Sequence, residues 1–432
     1  ILSVLKEVFE LYGYQPIETP AFEKLSTLTG KYGDEGDQLL FKILNNGDFL
    51  KKVGSDLGDV ESKQLASMIA DRGLRYDLTI PFARYVVMNQ HNITFPFKRY
   101  QIQPVWRADR PQKGRYREFY QCDVDVIGSN ALLNELELVQ IYLEVFERLG
   151  ISDITVKINN RKLLYLFEQL LNAEGQFSEV VTILDKFDKI GKEGIEKQFS
   201  DKGLGDHSNE LWHVVDEFSN KDSNKERLEV VEKYATSEVV IQGVQEMREL
   251  LSLIDSSGMD ASQVEFDIML ARGLSYYTGT VMEVNCNSVN IGSIGGGGRY
   301  DDLTGVFGLK DMSGVGVSFG MERIYDVMEE LQLFDESIQH STQVMFVNFG
   351  NASLSKSLEC VRELRLNFIS AEVYPDEAKM KKQMKYANDK GIAYVAILGE
   401  AEIEEGVIAL KNMETGEQQK VAIDQIKDAI EE

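Results

Sequence analysis

The feature that most constrains the fold of this chain is a predicted hairpin at residues 97–128. Two runs rich in aromatic and β-branched residues, 100–106 and 118–127, lie on either side of a loop that contains Pro111 and Gly114. Such runs, separated by turn-forming residues, are typical of a strand, a turn and a second strand. The pattern therefore predicts one long hairpin, which the rest of the chain has to accommodate.

The same hairpin concentrates positive charge on an acidic protein. Residues 98–117 include seven basic residues and one acidic residue, a net charge of +6, whereas the whole chain carries −25. Arginine side chains offer planar, bidentate donors to phosphate and carboxylate groups. We therefore interpret the hairpin as an element that recognises phosphate.

The overall charge limits the possible partners. A net charge of −25 repels a polyanion on average and argues against indiscriminate binding of nucleic acid. A local RNA contact is compatible with that field, because salt screens it within about 8–10 Å at physiological ionic strength. Without the hairpin, the preferred interpretation would be an acidic cytoplasmic protein with no nucleic-acid partner.

Length, hydrophobicity and cysteine content set the broad class. A chain of 432 residues that is 43% hydrophobic is long enough for two or three domains. No run approaches the roughly 18 apolar residues of a membrane span, so no membrane association is predicted. Three scattered cysteines suit neither a disulfide framework nor a zinc site, which favours a cytoplasmic location and no protein-held metal. The first ten residues do not resemble a signal peptide, and because none of them is Met, we expect the natural start to be missing.

Changes in residue pattern divide the chain into four segments. Residues 1–160 contain the predicted hairpin, and 161–257 lack proline and repeat apolar residues at helical spacing. Alternating residues and glycines return in 258–334, while strand and helix patterns alternate in 335–432. We predict an α+β domain, an antiparallel sheet flanked by helices and interrupted by a helical insertion, followed by an α/β domain with a mixed sheet.

An acid and a hydroxyl lie two residues apart in the segment before Pro81. On a strand, Asp77 and Thr79 would share one face, and that face would suit an ammonium ion. The same residues ahead of a proline are also typical of the start of a helix. The residues alone leave both alternatives open.

Three stretches together resemble a known family. Residues 97–128 are similar to motif 2 of the class II aminoacyl-tRNA synthetases. Residues 270–279, LARGLSYYTG, and 295–301, GGGGRYD, resemble the histidine-specific signatures of the histidyl-tRNA synthetases. The resemblance extends over most of the chain. It implies that 1–160 and 258–334 form the two parts of a catalytic domain, that 161–257 is its helical insertion, and that 335–432 binds the anticodon.

The resemblance also implies an activity. Members of this family activate L-histidine with ATP, release pyrophosphate, and transfer histidine from histidyl-adenylate to the 3′ end of tRNA(His). The implied substrates and partners are therefore L-histidine, ATP with Mg²⁺, and tRNA(His), in a cytoplasmic homodimer. The substrate carboxylate is ionised at pH 7, so this reaction needs positioned cations rather than a protein base.

The resemblance assigns roles to residues that match the family motifs. Arg107 and Arg272 are the implied catalytic residues, because both would contact the reacting α-phosphate and carboxylate. Histidine would be bound by Asp77, Leu78, Thr79, Arg107, Gln121, Asp125, Arg272, Tyr276 and Tyr277. ATP would be bound by Arg107, Asp109, Phe119, Arg272 and Arg323. The acceptor end of the tRNA would be contacted by Arg110, Gln112 and Lys113.

Each of these positions also has a purely structural interpretation. Arg107 could be a surface arginine paired with Asp109, Arg323 a charge on a helix surface, and Phe119 a core residue. The four glycines of 295–298 could allow a close approach of the backbone to a ligand, or form a flexible turn. The rival functions are a synthetase-like regulatory subunit of histidine biosynthesis, and a class II synthetase for another amino acid.

Overall fold

The computed structural model describes residues 1–29, 39–51, 53, 61–271, 277–334 and 342–431. It divides into two compact units, Ile1–Leu333 and Phe334–Glu432. Among the described residues, no helix combines the length and hydrophobicity needed to cross a membrane.

An eight-stranded sheet forms the centre of the first unit. Its order is β1-β5-β6-β11-β10-β9-β7-β8, antiparallel except for the two edge pairs β1/β5 and β7/β8. A three-stranded sheet, β2-β4-β3, lies in the same unit. The strands are β1 Gln15–Pro16, β2 Phe22–Lys24, β3 Lys42–Ile43, β4 Arg72–Leu74, β5 Phe97–Trp106, β6 Glu118–Ile127, β7 Ile154–Asn160, β8 Val264–Phe266, β9 Thr280–Cys286, β10 Ser293–Tyr300 and β11 Gly314–Gly320.

Helices cover this sheet through apolar faces. Phe319 of the sheet contacts the rings of Phe9, Tyr142 and Phe146, whose centroids lie 4.7–5.7 Å from its own. The predicted α+β class is confirmed. The helices outside the insertion are α1 Leu2–Leu11, α2 Leu25–Leu28, α3 Ser62–Ile69, α4 Thr79–Asn89, α5 Leu133–Arg148 and, after the insertion, α12 Met321–Glu330.

The segment between β7 and β8 is helical, as its apolar spacing predicts. The last helix of this segment packs closely on the residues that follow β7. A Cβ at Gly243 of that helix would lie only 2.8 Å from the Leu163 side chain. A capping box at Ser223 and Glu226 starts the helix before it. The helices are α6 Tyr165–Leu170, α7 Phe177–Leu184, α8 Phe187–Asp201, α9 Ser208–Ser219, α10 Asn224–Tyr234 and α11 Glu238–Ser256.

The second unit contains a five-stranded mixed sheet in the order β13-β12-β14-β15-β16. The first three strands pair in parallel and the last two pairings are antiparallel. Separate apolar clusters around Val344 and Met345 use successive residues of one strand, so both faces of the sheet are covered. The strands are β12 Val344–Phe346, β13 Ala371–Val373, β14 Tyr394–Ile397, β15 Val407–Asn412 and β16 Gln418–Ala422, and the helices are α13 Asn351–Leu366, α14 Met380–Asp389, α15 Glu400–Glu405 and α16 Asp428–Glu431.

Candidate active site

The predicted hairpin is formed by β5 and β6. The two strands pair through ten residue pairs, from Phe97 opposite Ile127 to Trp106 opposite Glu118. Strand alternation places Gln121, Asp123 and Asp125 of β6 on one face. This face forms the floor of a cavity of about 560 Å³.

The segment around Asp77 forms a helix start rather than a strand. Helix α4 begins at Thr79, and the backbone N–H of Ile80 donates to Asp77 Oδ1 at 3.4 Å. Pro81 is tolerated because it lies in the first turn, where its missing N–H has no helical partner. The strand alternative is therefore wrong, although Asp77 and Thr79 both line the cavity.

Arg107 lies at the end of the first hairpin strand and lines the cavity. Its Nε donates to the backbone oxygen of Tyr76 at 2.9 Å, and its guanidinium carbon lies 5.1 Å from the centroid of the Phe119 ring. Among the described residues, no acid forms an ion pair with Arg107, so the alternative of a pair with Asp109 is wrong. The guanidinium is held in place without being neutralised, which suits the binding of an anion.

Arg323 connects α12 to two other elements of the site. Its Nε donates to the backbone oxygen of Gly114 at 2.8 Å, and its Nη1 donates to that of Ser293 at 2.6 Å. The neighbouring Glu322 accepts from the backbone N–H of Tyr120 at 2.8 Å. Arg323 therefore lies at a junction between the hairpin, β10 and α12, and the alternative of a helix-surface charge is wrong.

The hairpin loop lies against the acidic side of α12. Lys113 Nζ lies 3.1 Å from a carboxylate oxygen of Glu330, and the hydroxyl of Tyr116 donates to Asp326 at 3.3 Å. Both contacts are exposed. Because exposed ion pairs contribute little stability, a ligand with a phosphate backbone can compete for Lys113 at small cost.

A buried ion pair lies under the deep end of the cavity. Arg99 of β5 pairs with Asp125 at 2.7 Å, and both side chains are almost fully buried. Tyr300 of β10 donates to the other carboxylate oxygen of Asp125 at 2.7 Å. Burial raises the pKa of Asp125, and Arg99 opposes that shift. Burial also raises the pKa of Asp123 to about 7, and Arg99 again opposes the shift.

The floor, the arginines and the helix start thus occur in one cavity on an antiparallel sheet. A model of the histidyl-tRNA synthetase family matches residues 64–324, which is more than half of the chain. The chain belongs to the histidyl-tRNA synthetase family. A model of the anticodon binding domain matches residues 343–432.

Relatives extend this family assignment over the whole chain. A Histidine--tRNA ligase of Christiangramia forsetii is 50% identical over 434 residues, covering 100% of this chain and 94% of the relative. A Histidine--tRNA ligase of Phocaeicola vulgatus is 51% identical over 428 residues, covering 99% of this chain and 93% of the relative. The crystal structure of histidyl-tRNA synthetase from Nostoc sp. PCC 7120 matches with a TM-score of 0.81 at 29% identity, covering 100% of this chain and 94% of that one.

Most of the residues that the histidyl-tRNA synthetase motifs predicted are brought together. Leu78 is fully buried at the start of α4, next to two lining residues. Arg272 and Tyr276 lie outside the described residues. In the described part of the chain, Leu78, Arg110, Gln112 and Lys113 are not among the lining residues. The predicted residues that line the cavity are Asp77, Thr79, Arg107, Asp109, Phe119, Gln121, Asp125, Tyr277 and Arg323.

The sequence interpretation missed Tyr300, which lines the cavity, and Arg99, which pairs with Asp125. Arg99 gave no clear signal, because its strand also contains Lys98, Gln101 and Gln103 and does not indicate burial. Tyr300 lies within the 295–301 signature, but its contact with Asp125 gave no signal, since aromatic residues are common in strands.

The glycine run is a strand of the sheet and not a flexible turn. Residues 295–298 lie within β10 and pair with β9 and β11. A Cβ at Gly298 would lie 3.0 Å from the Tyr277 ring, and a Cβ at Gly316 on the next strand would lie 1.9 Å from Asp125 Oδ1. These glycines leave room for side chains of the site, so the turn alternative is wrong.

A second buried ion pair supports β10 from outside the cavity. Arg299 donates to both carboxylate oxygens of Glu135 on α5, through Nε and Nη2, at 2.6 Å each. Its Nη1 also donates to Ser313 Oγ at 2.6 Å. Burial raises the pKa of Glu135, and the hydrogen bonds from Arg299 oppose that shift. This bidentate pair fixes α5 to the strand that carries the glycine run.

Proposed function

We propose that this chain is a histidine–tRNA ligase. It activates L-histidine with ATP to histidyl-adenylate, releases pyrophosphate, and transfers histidine to the 3′ end of tRNA(His). The observation that carries the proposal is that relatives named Histidine--tRNA ligase are about half identical to this chain over nearly its whole length. The cavity supports it with cationic, hydrogen-bonded side chains that suit adenylate formation.

In the activation step, a carboxylate oxygen of histidine bonds to the α-phosphorus of ATP while the bond to pyrophosphate breaks. The histidine carboxylate is already ionised at neutral pH, so no side chain has to remove a proton. Arg107 and Arg272 contact the carboxylate and the α-phosphate and offset the charge that develops there. Because Arg107 is fixed by the Tyr76 carbonyl oxygen, this cation is positioned before the substrates arrive.

ATP binds at the outer part of the cavity. Arg323 and Phe119 stack on the adenine, with Arg107 and Asp109 near the phosphates. Mg²⁺ would be held together with the ATP phosphates, where it would offset their negative charge. Mg²⁺ commonly uses one or two carboxylates together with substrate phosphates, and the lining carboxylates of Asp109 and Glu322 fit that requirement.

Histidine binds at the inner part of the cavity. Asp77, Thr79 and the adjoining Leu78 receive the α-ammonium group, and Gln121 contacts the same end of the substrate. The imidazole ring lies near Asp125 and Tyr277, with Tyr276 as a wall and Arg272 at the carboxylate. Buried polar groups of this kind reject amino acids without matching ring nitrogens, because the protein groups would remain unpaired.

Two parts of the chain bind the tRNA. Arg110, Gln112 and Lys113 of the hairpin loop contact the acceptor end, and the domain 335–432 binds the anticodon. The catalytic domain comprises 1–160 and 258–334, with 161–257 as its helical insertion. In the transfer step, the terminal ribose hydroxyl attacks the adenylate carbonyl, the bond from that carbon to the phosphate oxygen breaks, and AMP leaves. A phosphate oxygen of the adenylate accepts the hydroxyl proton. The active form is a cytoplasmic homodimer.

The test is exchange of labelled pyrophosphate into ATP with each of the standard amino acids in turn. Only histidine should support exchange, because only its ring satisfies the polar groups of the inner cavity. Exchange supported by a different amino acid, or by none while ATP still binds, would overturn the proposed substrate.

A further inference from the structure

We infer that Asp123 determines specificity for histidine by accepting a hydrogen bond from a ring N–H of the substrate, an inference that rests on the proposed function. The family motifs assigned no role to this residue.

Asp123 combines a place in the cavity lining with a buried acceptor that lacks a partner in the described part of the chain. It lines the cavity and is only 3% exposed. Among the described residues, its Oδ1 accepts no hydrogen bond. Buried polar atoms in proteins are nearly always paired, so an exception in a ligand cavity indicates a partner supplied by the ligand.

Asp125 differs from Asp123 because each of its oxygens lies close to a cation or a donor, although the contact at Oδ2 is an ion pair without the geometry of a hydrogen bond. Tyr300 donates to Oδ1 at 2.7 Å, and Arg99 forms an ion pair with Oδ2 at 2.7 Å. Asp125 therefore has less capacity for a further short hydrogen bond. Asp125 acts as a positioning residue beside the imidazole ring, while Asp123 provides the acceptor that lacks a partner among the described residues.

The spacing along β6 agrees with this division. Residues i and i+2 of a strand are about 6.6–6.8 Å apart, comparable to the length of histidine from its amino group to its ring. Among the described residues, Gln121 Oε1 is also a buried acceptor without a partner. With the α-ammonium group near Gln121, the imidazole ring extends toward Asp123.

The charges around Asp123 favour a ligand that brings a donor. The positive charge of Arg99 attracts the Asp123 carboxylate, whereas the negative charges of Asp125 and Asp77 repel it. Burial and this repulsion destabilise the ionised carboxylate. A ring N–H at Oδ1 offsets part of that cost, whereas the apolar ring of another amino acid leaves it in place.

The experiment compares Asp123→Asn and Asp123→Leu with the wild-type chain in histidine-dependent pyrophosphate exchange. We expect kcat/KM for histidine to fall about 10-fold in Asp123→Asn, whose amide oxygen still accepts. We expect a fall of about 100-fold in Asp123→Leu, the upper size for a hydrogen bond to a charged group. The KM for ATP should stay unchanged. Asp153→Asn, an aspartate on the exposed surface near Asn287, is the control and should behave as wild type.

A ligand without a ring N–H separates ring contact from contact with the α-ammonium group. Binding of L-histidine and of 3-(2-thienyl)alanine is measured by titration into each variant, with thermal unfolding as a check on folding. Asp123→Leu should weaken histidine and leave thienylalanine unchanged. Equal weakening of both ligands, or unchanged histidine binding in a folded variant, would overturn the assignment. If the wild-type chain binds histidine but supports no exchange, the proposed function fails, and the titrations still decide the role of Asp123.

Discussion

Replacing Arg107 with alanine is expected to lower histidine-dependent pyrophosphate exchange by roughly 100- to 1,000-fold, the usual cost of removing one preorganised donor to a developing negative charge. The side chain lines the cavity and forms no ion pair with a described acid, so its charge remains available to the substrates. The loss should fall mainly on kcat, because the bonds to the α-phosphate strengthen as pyrophosphate leaves. Steady-state exchange at saturating histidine and ATP measures it.

Two further variants test whether the loss of exchange activity depends on the planar guanidinium group of Arg107. Arg107→Lys keeps the charge but loses the bidentate geometry, so it should recover only a small part of the activity. Arg148→Ala is the control, since Arg148 forms an exposed pair with Glu144 on α5. If Arg107→Ala and Arg148→Ala exchange at similar rates, Arg107 is not a catalytic residue.

The second large effect concerns stability. Glu135→Ala is expected to lower the free energy of unfolding by about 3–5 kcal/mol, because it leaves the buried guanidinium of Arg299 without its anionic partner. Arg299 is 8% exposed and Glu135 is fully buried. Denaturation by urea, followed by circular dichroism, measures the difference between the variant and the wild-type chain.

Glu179 of α7 provides a comparison on the surface. It pairs with Lys202 at 2.7 Å, with both side chains more than a third exposed. Glu179→Ala should therefore cost only about 0–1 kcal/mol. Equal destabilisation by the two substitutions would mean that burial of the Arg299 pair does not govern its contribution.

The elements that were predicted well are those with a strong local pattern. The hairpin followed from two alternating runs around a turn, and its charge identified a site before any contact was known. The helical character of 161–257 followed from apolar spacing alone. The residues that form each of these patterns are close together in the sequence, so the patterns can be interpreted without knowledge of tertiary contacts.

Other features depended on contacts between distant residues. The start of α4 at Thr79 could not be separated from a strand, because an acid and a hydroxyl before proline suit both. The role of the glycine run was ambiguous, because the side chain that needs the space at Gly298 is Tyr277, which the local sequence pattern does not reveal. The engagement of Asp125 by Arg99 and Tyr300 also requires the pairing of strands far apart in the chain.

The central claim, ligation of histidine to tRNA(His), is tested most directly by an aminoacylation assay. The purified chain is incubated with ATP, Mg²⁺, labelled L-histidine and a tRNA(His) transcript, and acid-precipitable label is counted. We predict ATP-dependent labelling of tRNA(His), and no labelling of a transcript for another amino acid. Histidine-dependent pyrophosphate exchange without any labelled tRNA would contradict the account.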